Sequence, residues 1–400
     1  MEKKNRIWLL YLLAFVIVAG YTVFIPILPF LIESLGGGSS QVGLVIALAP
    51  LTTVLFSPLL GTLADRWGRK PIILLGLAGM AIWFGLYALA TSMTFLYIGS
   101  LIGGIFSAGA MAAATAYISD VTTEEERGGF ITKLQAAQMV GAFLPPLASG
   151  FLATVSLSLP FYILAGLSFI PLILSIFLLP ESLSQQQQQK TVAEEESAVK
   201  VVLASYGKLF GYLKTSIGPL LIIAFLVAFP TGFFETSLPL LITSMGLTTS
   251  QSGIIFSVGT FAVLIAQIVF VERAMKKFGE FANIIVGMIA AAVFYLILPL
   301  SSGFWIILIV NAVLSLTTSQ MRPANITLLT KYAPVEEQGL SQSFYNLYTS
   351  IGRIIGPILG GIVYGSLGGF VALAIAAAIF VLSALYTARV QKKYKTASPD

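Results

Sequence analysis

The sequence predicts an all-α membrane protein of twelve transmembrane helices, arranged as two pseudo-symmetric six-helix bundles. Three observations lead there. The chain is 57% apolar and only 10% charged, with mean hydropathy +0.93, whereas a soluble domain carries about a quarter charged residues. Apolar blocks recur from end to end, each near the roughly 20 residues a helix needs to cross a bilayer. The second half of the chain repeats the first.

The blocks lie at 7–32, 42–64, 71–91, 94–119, 130–154, 159–180, 216–242, 252–271, 281–300, 303–330, 341–365 and 369–388, twelve spans in all. The first is too long for the apolar region of a cleaved signal peptide. Between spans 6 and 7 runs "LPESLSQQQQQKTVAEEESAVK" (179–200), a polar, Gln-rich stretch of linker composition. The expected organisation is therefore a bundle over 1–180, a cytoplasmic linker over 181–215 and a second bundle over 216–400. Residues 197–214 are expected to form an amphipathic helix on the membrane surface.

Cysteine and histidine are absent. This excludes disulfides, Cys/His metal sites, thiol nucleophiles and histidine acid–base chemistry. No phosphate-binding glycine loop with its lysine is present either. The chain is therefore not expected to be an enzyme, nor to hold an organic or metal cofactor.

Basic residues set the topology. Loops after even-numbered spans hold Arg66, Arg69, Lys70, Arg127, Lys133, Lys214, Arg273, Lys276, Lys277 and Lys331, among others. Loops after odd-numbered spans hold no Lys or Arg, and both termini are basic. This bias places both termini in the cytoplasm and supports an even number of spans. The net charge of +5 reads as a topology signal rather than a nucleic-acid surface.

The repeat is direct. "ILPFLIESLGGGSSQVGL" (27–44) matches "SLPLLITSMGLTTSQSGI" (237–254), pairing Pro29 with Pro239, Gln41 with Gln251 and Gly43 with Gly253. Farther on, Trp67-Gly68 pairs with Phe278-Gly279, and Gly141, Pro146 and Gly150 pair with Gly352, Pro357 and Gly361. Parallel halves of this kind are one of two symmetry types among secondary transporters, with the substrate site near the midplane.

After span 2 the chain reads "GTLADRWGRK" (61–70). This resembles, at nearly every position, the signature of the major facilitator superfamily. Gly61 and Gly68 are expected to permit close helix approach and a tight turn. Arg66, Arg69 and Lys70 would anchor the loop at the inner face. The resemblance implies that Asp65 sits against the N-terminus of span 11 and that Arg69 pairs with Asp120, forming a cytoplasmic latch. Within the superfamily, "IPILP" (25–29), "FFETSLPL" (233–240), "MRPA" (321–324) and "SIGRIIGPILGG" (350–361) resemble the norfloxacin-exporter type of drug:proton antiporter from Gram-positive bacteria. The last stretch holds Gly352, Gly356, Pro357, Gly360 and Gly361, glycines spaced for close helix packing around a bend. Span 5 keeps Gly141, Pro146 and Gly150 but has Pro145 and Ser149 where that motif has glycine. Ser100 stands where many relatives have arginine, and Ser319 where they have an acid three residues before Arg322.

Three charged residues lie well inside spans: Glu235, Arg322 and Arg353. An acid at a helix centre costs about 2.5–3.5 kcal/mol on insertion scales. Glu235 is expected to carry a proton across the membrane, protonated on one side and released on the other. Structural pairing with Arg353 is the competing reading. A direct pair would have to close an axial offset of ~10 Å, so it is not the expected arrangement. Arg353 suits either carboxylate or phosphate recognition or a fixed counter-charge for Glu235. Gln342, Asn346, Thr349 and Arg353 form a polar stripe at helical spacing, with Gln135 and Gln138 on the repeat-related span 5. Phe233, Phe234, Tyr345 and Tyr348 are candidates for an aromatic lining.

The expected function is proton-driven export of amphipathic compounds across the plasma membrane by alternating access. Export of an anionic metabolite around Arg322 and Arg353 is the alternative, and a non-transporting receptor or scaffold a remote one. The expected partners are a small-molecule substrate, protons and the lipid bilayer, with no nucleic acid, and the chain is expected to act as a monomer.

Overall fold

A computed structural model describes residues 4–183, 209–334 and 337–397. Among these residues the protein is helical, with no strand. The chain folds into two compact units, Met1–Leu35 with Leu48–Gly207, and Gly36–Ala47 with Lys208–Asp400. Most of the expected linker and surface helix lies outside the described residues.

Unit 1 opens with α1 (Trp8–Phe24) and α2 (Leu28–Ser34). These two form span 1, interrupted beside Pro26, which has no N–H to donate and whose ring crowds the preceding turn. Then come α3 (Ser39–Trp67), α4 (Arg69–Ala88), α5 (Met93–Val121), α6 (Glu124–Leu152) and α7 (Leu159–Leu178). Trp83, Phe84, Tyr87, Tyr117 and Phe161 are fully buried at its core. Glycine makes this packing fit: a methyl at Gly99 would lie 2.8 Å from the Tyr87 ring. Ser100 is buried and its hydroxyl lies 2.6 Å from the Tyr87 hydroxyl.

Unit 2 contains a short turn α8 (Leu209–Tyr212), then α9 (Gly218–Ser244) and α10 (Thr249–Ala266). A π-helical turn over Gln267–Val271 leads into α11 (Glu272–Phe278). There follow α12 (Glu280–Ile297), α13 (Phe304–Thr318), α14 (Met321–Tyr332) and α15 (Gln338–Ala397). Span 7, unlike its repeat mate span 1, stays helical through Pro230 and Pro239.

The repeat is visible in local geometry. Gln41 accepts from the Gly38 N–H at 3.0 Å, and its mate Gln251 accepts from the Thr248 N–H at 2.9 Å. Gly68 and Gly279 both adopt positive φ, 102° and 78°, and both separate consecutive helices, a conformation that penalises any residue with a Cβ.

Ten helices among the described residues are long and apolar enough to cross a membrane. α6 is not among them: it carries Gln135, Gln138, Pro145 and Pro146 along its apolar part. The last of the ten covers 58 residues, which would rise about 87 Å, nearly three hydrocarbon cores. Gly368 interrupts that stretch with φ 84°, ψ 166°, the backbone that parts α11 from α12 at Gly279. Spans 11 and 12 meet there. Large apolar side chains such as Phe177, Ile268 and Trp305 are at least 70% exposed on the helix exteriors, as a lipid-facing surface requires.

The unit boundary departs from the expected one at 36–47. The first turns of α3 belong to unit 2 because Gly43 has no side chain: its backbone sits against the Pro357 carbonyl and the Gly361 Cα.

Candidate functional site

Glu235 sits five residues after Pro230 and four before Pro239 on α9. Its partner is on α15: the Arg353 guanidinium Nη2 lies 3.8 Å from Glu235 Oε1. The axial estimate disfavoured this pair, and the structure corrects it. Straight parallel helices would separate the two Cα atoms along the axis, but arginine is long enough to span the offset. The side chains are 27% and 51% exposed respectively, so the pair is open to solvent on the Arg353 side.

Close packing of the two helices brings these charges together. A methyl at Gly352 would lie 2.8 Å from the Ala228 Cβ and the Phe229 N, and Gly356 lies against the Phe229 carbonyl. A methyl at Gly360 would lie 3.0–3.1 Å from the Phe233 backbone, and Pro357 lies against Gly232. The Thr236 hydroxyl donates to the Pro357 carbonyl at 3.3 Å. The glycine motif of span 11 is thus the surface on which span 7 lies. Contact between small residues is the main source of helix association in lipid.

Around the pair, Asn346 and Arg353 are exposed and Gln342 and Thr349 half-buried along one stripe of α15. The Thr349 hydroxyl donates to the Tyr345 carbonyl at 2.8 Å. Phe234 stacks on Tyr295 with ring centroids 4.7 Å apart, and Glu235 is close enough to Tyr295 to act on its hydroxyl electrostatically. Arg322, exposed at the start of α14, interacts with the Tyr345 hydroxyl.

Three of the aromatic candidates do not line an open space. Phe233 is 2% exposed, Tyr345 3% and Tyr348 8%. They belong to the core of unit 2, because each lies on the face of its helix turned toward its neighbours. Phe234 remains half-buried beside Glu235. In unit 1, half-buried Gln138 donates to the Met111 sulfur at 3.3 Å. A methyl at Gly141 would lie 2.7 Å from the Phe15 carbonyl oxygen of α1, and Pro146 and Gly150 are buried.

The signature loop forms a second constellation within unit 1. Gly68 makes the tight turn. Gly61 does not serve close approach, since no atom lies within 4 Å of where its Cβ would be. Arg69 pairs with Asp65, four residues earlier across the Gly68 turn, and its Nε donates to Asp120 at 3.3 Å. Lys70 reaches the Ile176 carbonyl at 2.8 Å, and Arg66 is half-buried beside the loop.

Sequence reasoning missed the anchor of this loop. The Glu181 carboxylate accepts the backbone N–H groups of Arg69 and Lys70 at 2.9 and 3.0 Å. It also accepts those of Ser182 and Leu183, at 2.9 and 3.1 Å. The Ser182 hydroxyl donates to Asp120 at 2.8 Å. A carboxylate at the start of α4 satisfies donors that a helix leaves unpaired and lies at the positive end of its dipole. The available signal was "PES" closing span 6, an acid directly after a helix-ending proline, which reads as the start of the linker.

The Major Facilitator Superfamily profile matches residues 10–300 and 220–399. Multidrug resistance protein 1 of Bacillus subtilis is 31% identical over 364 residues, covering 90% of each chain. Multidrug resistance protein 2 of the same organism is 29% identical over 89% of this chain and 88% of its own. The quinolone resistance protein NorA of Staphylococcus aureus is 28% identical over 89% of both. Among solved structures, a bacterial homologue of the human lysosomal transporter Spinster superposes with a TM-score of 0.77 at 15% identity, over 100% of this chain and 99% of that one. The human organic anion transporter MFSD10 gives 0.68 at 20% identity, over 97% and 100%. The chain belongs to the Major Facilitator Superfamily and is a multi-pass membrane transporter.

Proposed function

We propose that the protein is a proton-coupled exporter of amphipathic, drug-like compounds, working by alternating access of its two six-helix bundles in the plasma membrane. The observation that carries this reading is the Glu235–Arg353 pair, a carboxylate held inside the spans at 3.8 Å from a guanidinium. Protonation from outside neutralises Glu235, frees Arg353 and removes the negative charge that a cationic group would bind. Release of the proton to the cytoplasm restores the carboxylate, ready for the next substrate. The proton gradient is then the energy source, with no bound cofactor. The names of the Bacillus and Staphylococcus relatives support drugs as the substrate class. The distribution of basic residues supports cytoplasmic termini. Partners are the substrate, protons and lipid, with no nucleic acid, and the working unit is a monomer.

A second reading has its own observation. The Arg353 side chain is about half exposed and carries a permanent charge, which favours an anionic substrate group. Transport into inside-out vesicles under an imposed proton gradient separates the two, using cationic, neutral and anionic compounds. Wild type, Glu235→Gln and Arg353→Ala are compared. Export of cations that disappears with Glu235→Gln supports the first reading. Unchanged pH dependence in that variant overturns it. Anion flux abolished by Arg353→Ala selects the second.

A further inference from the structure

Unit 2 contains a cavity that plays no part in the pair above. It measures about 230 Å³ and lies where the start of α12, the end of α14 and the end of α15 meet. Gly279, Glu280, Lys331, Tyr332, Tyr394 and Lys395 contribute to its wall. At about 30 Å³ per water, it has room for a chemical group rather than a single solvent molecule. Lys331 and Lys395 bring two positive charges to this wall and Glu280 one negative charge. No ion pair among the described residues involves either Lys331 or Lys395.

The internal repeat shows what such a place holds. Gly68 and Gly279 are repeat mates with nearly the same backbone, φ 102°, ψ 164° and φ 78°, ψ 162°. Behind Gly68 the N–H groups of Arg69 and Lys70 are filled by the Glu181 carboxylate, which arrives from the end of span 6. Behind Gly279 no side chain among the described residues accepts the N–H groups of Glu280 and Phe281. The end of span 12 has nothing to offer in that role, since no Asp or Glu occurs between Glu337 and Asp400. It brings Arg389, Lys392, Lys393 and Lys395 instead. Unit 1 brings an anion to this place from the end of span 6, while unit 2 brings cations from the end of span 12 to a cavity whose wall also holds Glu280. A further unpaired polar group lies on α14, outside the residues that form the wall. Asn325 shares a face of α14 with the lining residues Leu328 and Tyr332. It is 1% exposed, and neither its amide nitrogen nor its oxygen has a hydrogen-bond partner among the described residues.

We propose that this cavity is an anion site that receives a phosphate group from outside the chain. Lys331 and Lys395 neutralise its charge, and the first N–H groups of α12 take the place in its coordination that Arg69 and Lys70 occupy around Glu181. The phosphate comes either from the headgroup of an anionic phospholipid or from free phosphate in solution. Its location at the inner leaflet rests on the orientation proposed above. The binding itself does not.

The test measures binding alone, so it stands apart from any failure of transport. Purified full-length protein is examined by native mass spectrometry with phosphatidylglycerol, phosphatidylcholine or inorganic phosphate. Lys331→Gln/Lys395→Gln is compared with Lys133→Gln/Lys214→Gln, which removes equal charge elsewhere. The lysines of both pairs are exposed, so the variants should fold, and circular dichroism checks this. Phosphatidylglycerol should bind in preference to phosphatidylcholine, and the first variant should weaken it about fivefold per lysine, with little change in the control. If inorganic phosphate binds instead and is lost in the first variant, the site stands with a soluble ligand. The proposal is overturned if neither phosphate source binds the wild type, or if the two variants bind equally.

Discussion

Glu235 and Arg353 face each other across the seam between spans 7 and 11, 3.8 Å apart, on helices whose backbones touch at glycine. The separation of two opposite charges on neighbouring helices changes when one of them is neutralised, and a proton can do this to only one of the pair. Glu235→Gln keeps the shape and removes the titration. Proton-driven export in vesicles should fall to background, while substrate binding in detergent should lose its dependence on pH. Measuring binding at several pH values separates loss of coupling from loss of the site.

Arg353→Gln should behave differently. The two charges stand 3.8 Å apart and half of the Arg353 side chain is exposed, so loss of the pair should move the melting temperature little. Without its counter-charge, Glu235 is left to a cationic ligand. A cationic dye should bind several-fold more tightly to the variant and an anionic one more weakly. Equal affinities for both dyes in variant and wild type would show that Arg353 does not set charge preference.

The parts of the fold carried by local pattern were legible in the sequence. The spans follow from apolar run length, and the turn at Gly68 from a glycine in a short basic loop. The glycine ladder 352–361 announced close packing, though not which helix it receives. Tertiary geometry decided the rest. Phe233 and Tyr348 have the composition of a cavity wall, but only the rotation of their helices tells that they point into the core. The pairing of Glu235 with Arg353 depended on side-chain reach, which axial counting ignores. Glu181 was hidden because its partners are backbone N–H groups more than a hundred residues away in the chain, and no residue pattern records those.

The glycines of the seam give a graded prediction. A Cβ at Gly356 would run into the Phe229 carbonyl, whereas one at Gly61 would meet nothing within 4 Å. Overpacking of this kind costs about 1–3 kcal/mol. A position where the added methyl meets nothing should change stability by no more than about 0.5 kcal/mol. Gly356→Ala should lower the thermal midpoint in detergent clearly, and Gly61→Ala should leave it in place. The reverse order would mean that span 7 does not lie on this face of span 11.

At the N-terminus, Lys4 pairs with Glu126 at the start of α6. The hydrogen bond from Lys4 holds the Glu126 carboxyl below its ordinary range. Because the folded value is the lower one, the tether is fully present above the ordinary carboxylate range and is lost as pH falls through the depressed value. Lys4→Gln should return the Glu126 titration upward, read by carbon-13 NMR of labelled glutamate. An unchanged titration would mean that the pair does not persist in solution.

Glu181 anchors the signature loop through four backbone N–H groups, two at the start of α4 and two of its own segment. A neutral amide in its place keeps one acceptor oxygen but loses the charge that complements the helix dipole. Helix-terminal carboxylates contribute roughly 0.3–1 kcal/mol when exposed and up to about 2 kcal/mol when partly buried. Glu181→Gln should therefore loosen the start of α4 without unfolding the bundle. Hydrogen exchange should quicken at the amides of Arg69 and Lys70, by about fivefold for each kcal/mol lost, with little change deep in α4. Glu181→Ala should quicken it further, because both acceptors go. Asp120 loses an ordered neighbour at the same time, since Ser182 bridges the two carboxylates. The Arg69–Asp120 contact should then become more mobile, and a spin-label pair across it should show a broader distance distribution. If exchange at those two amides is the same in all three proteins, the loop is held by Asp65 and Asp120 alone, and Glu181 is a bystander.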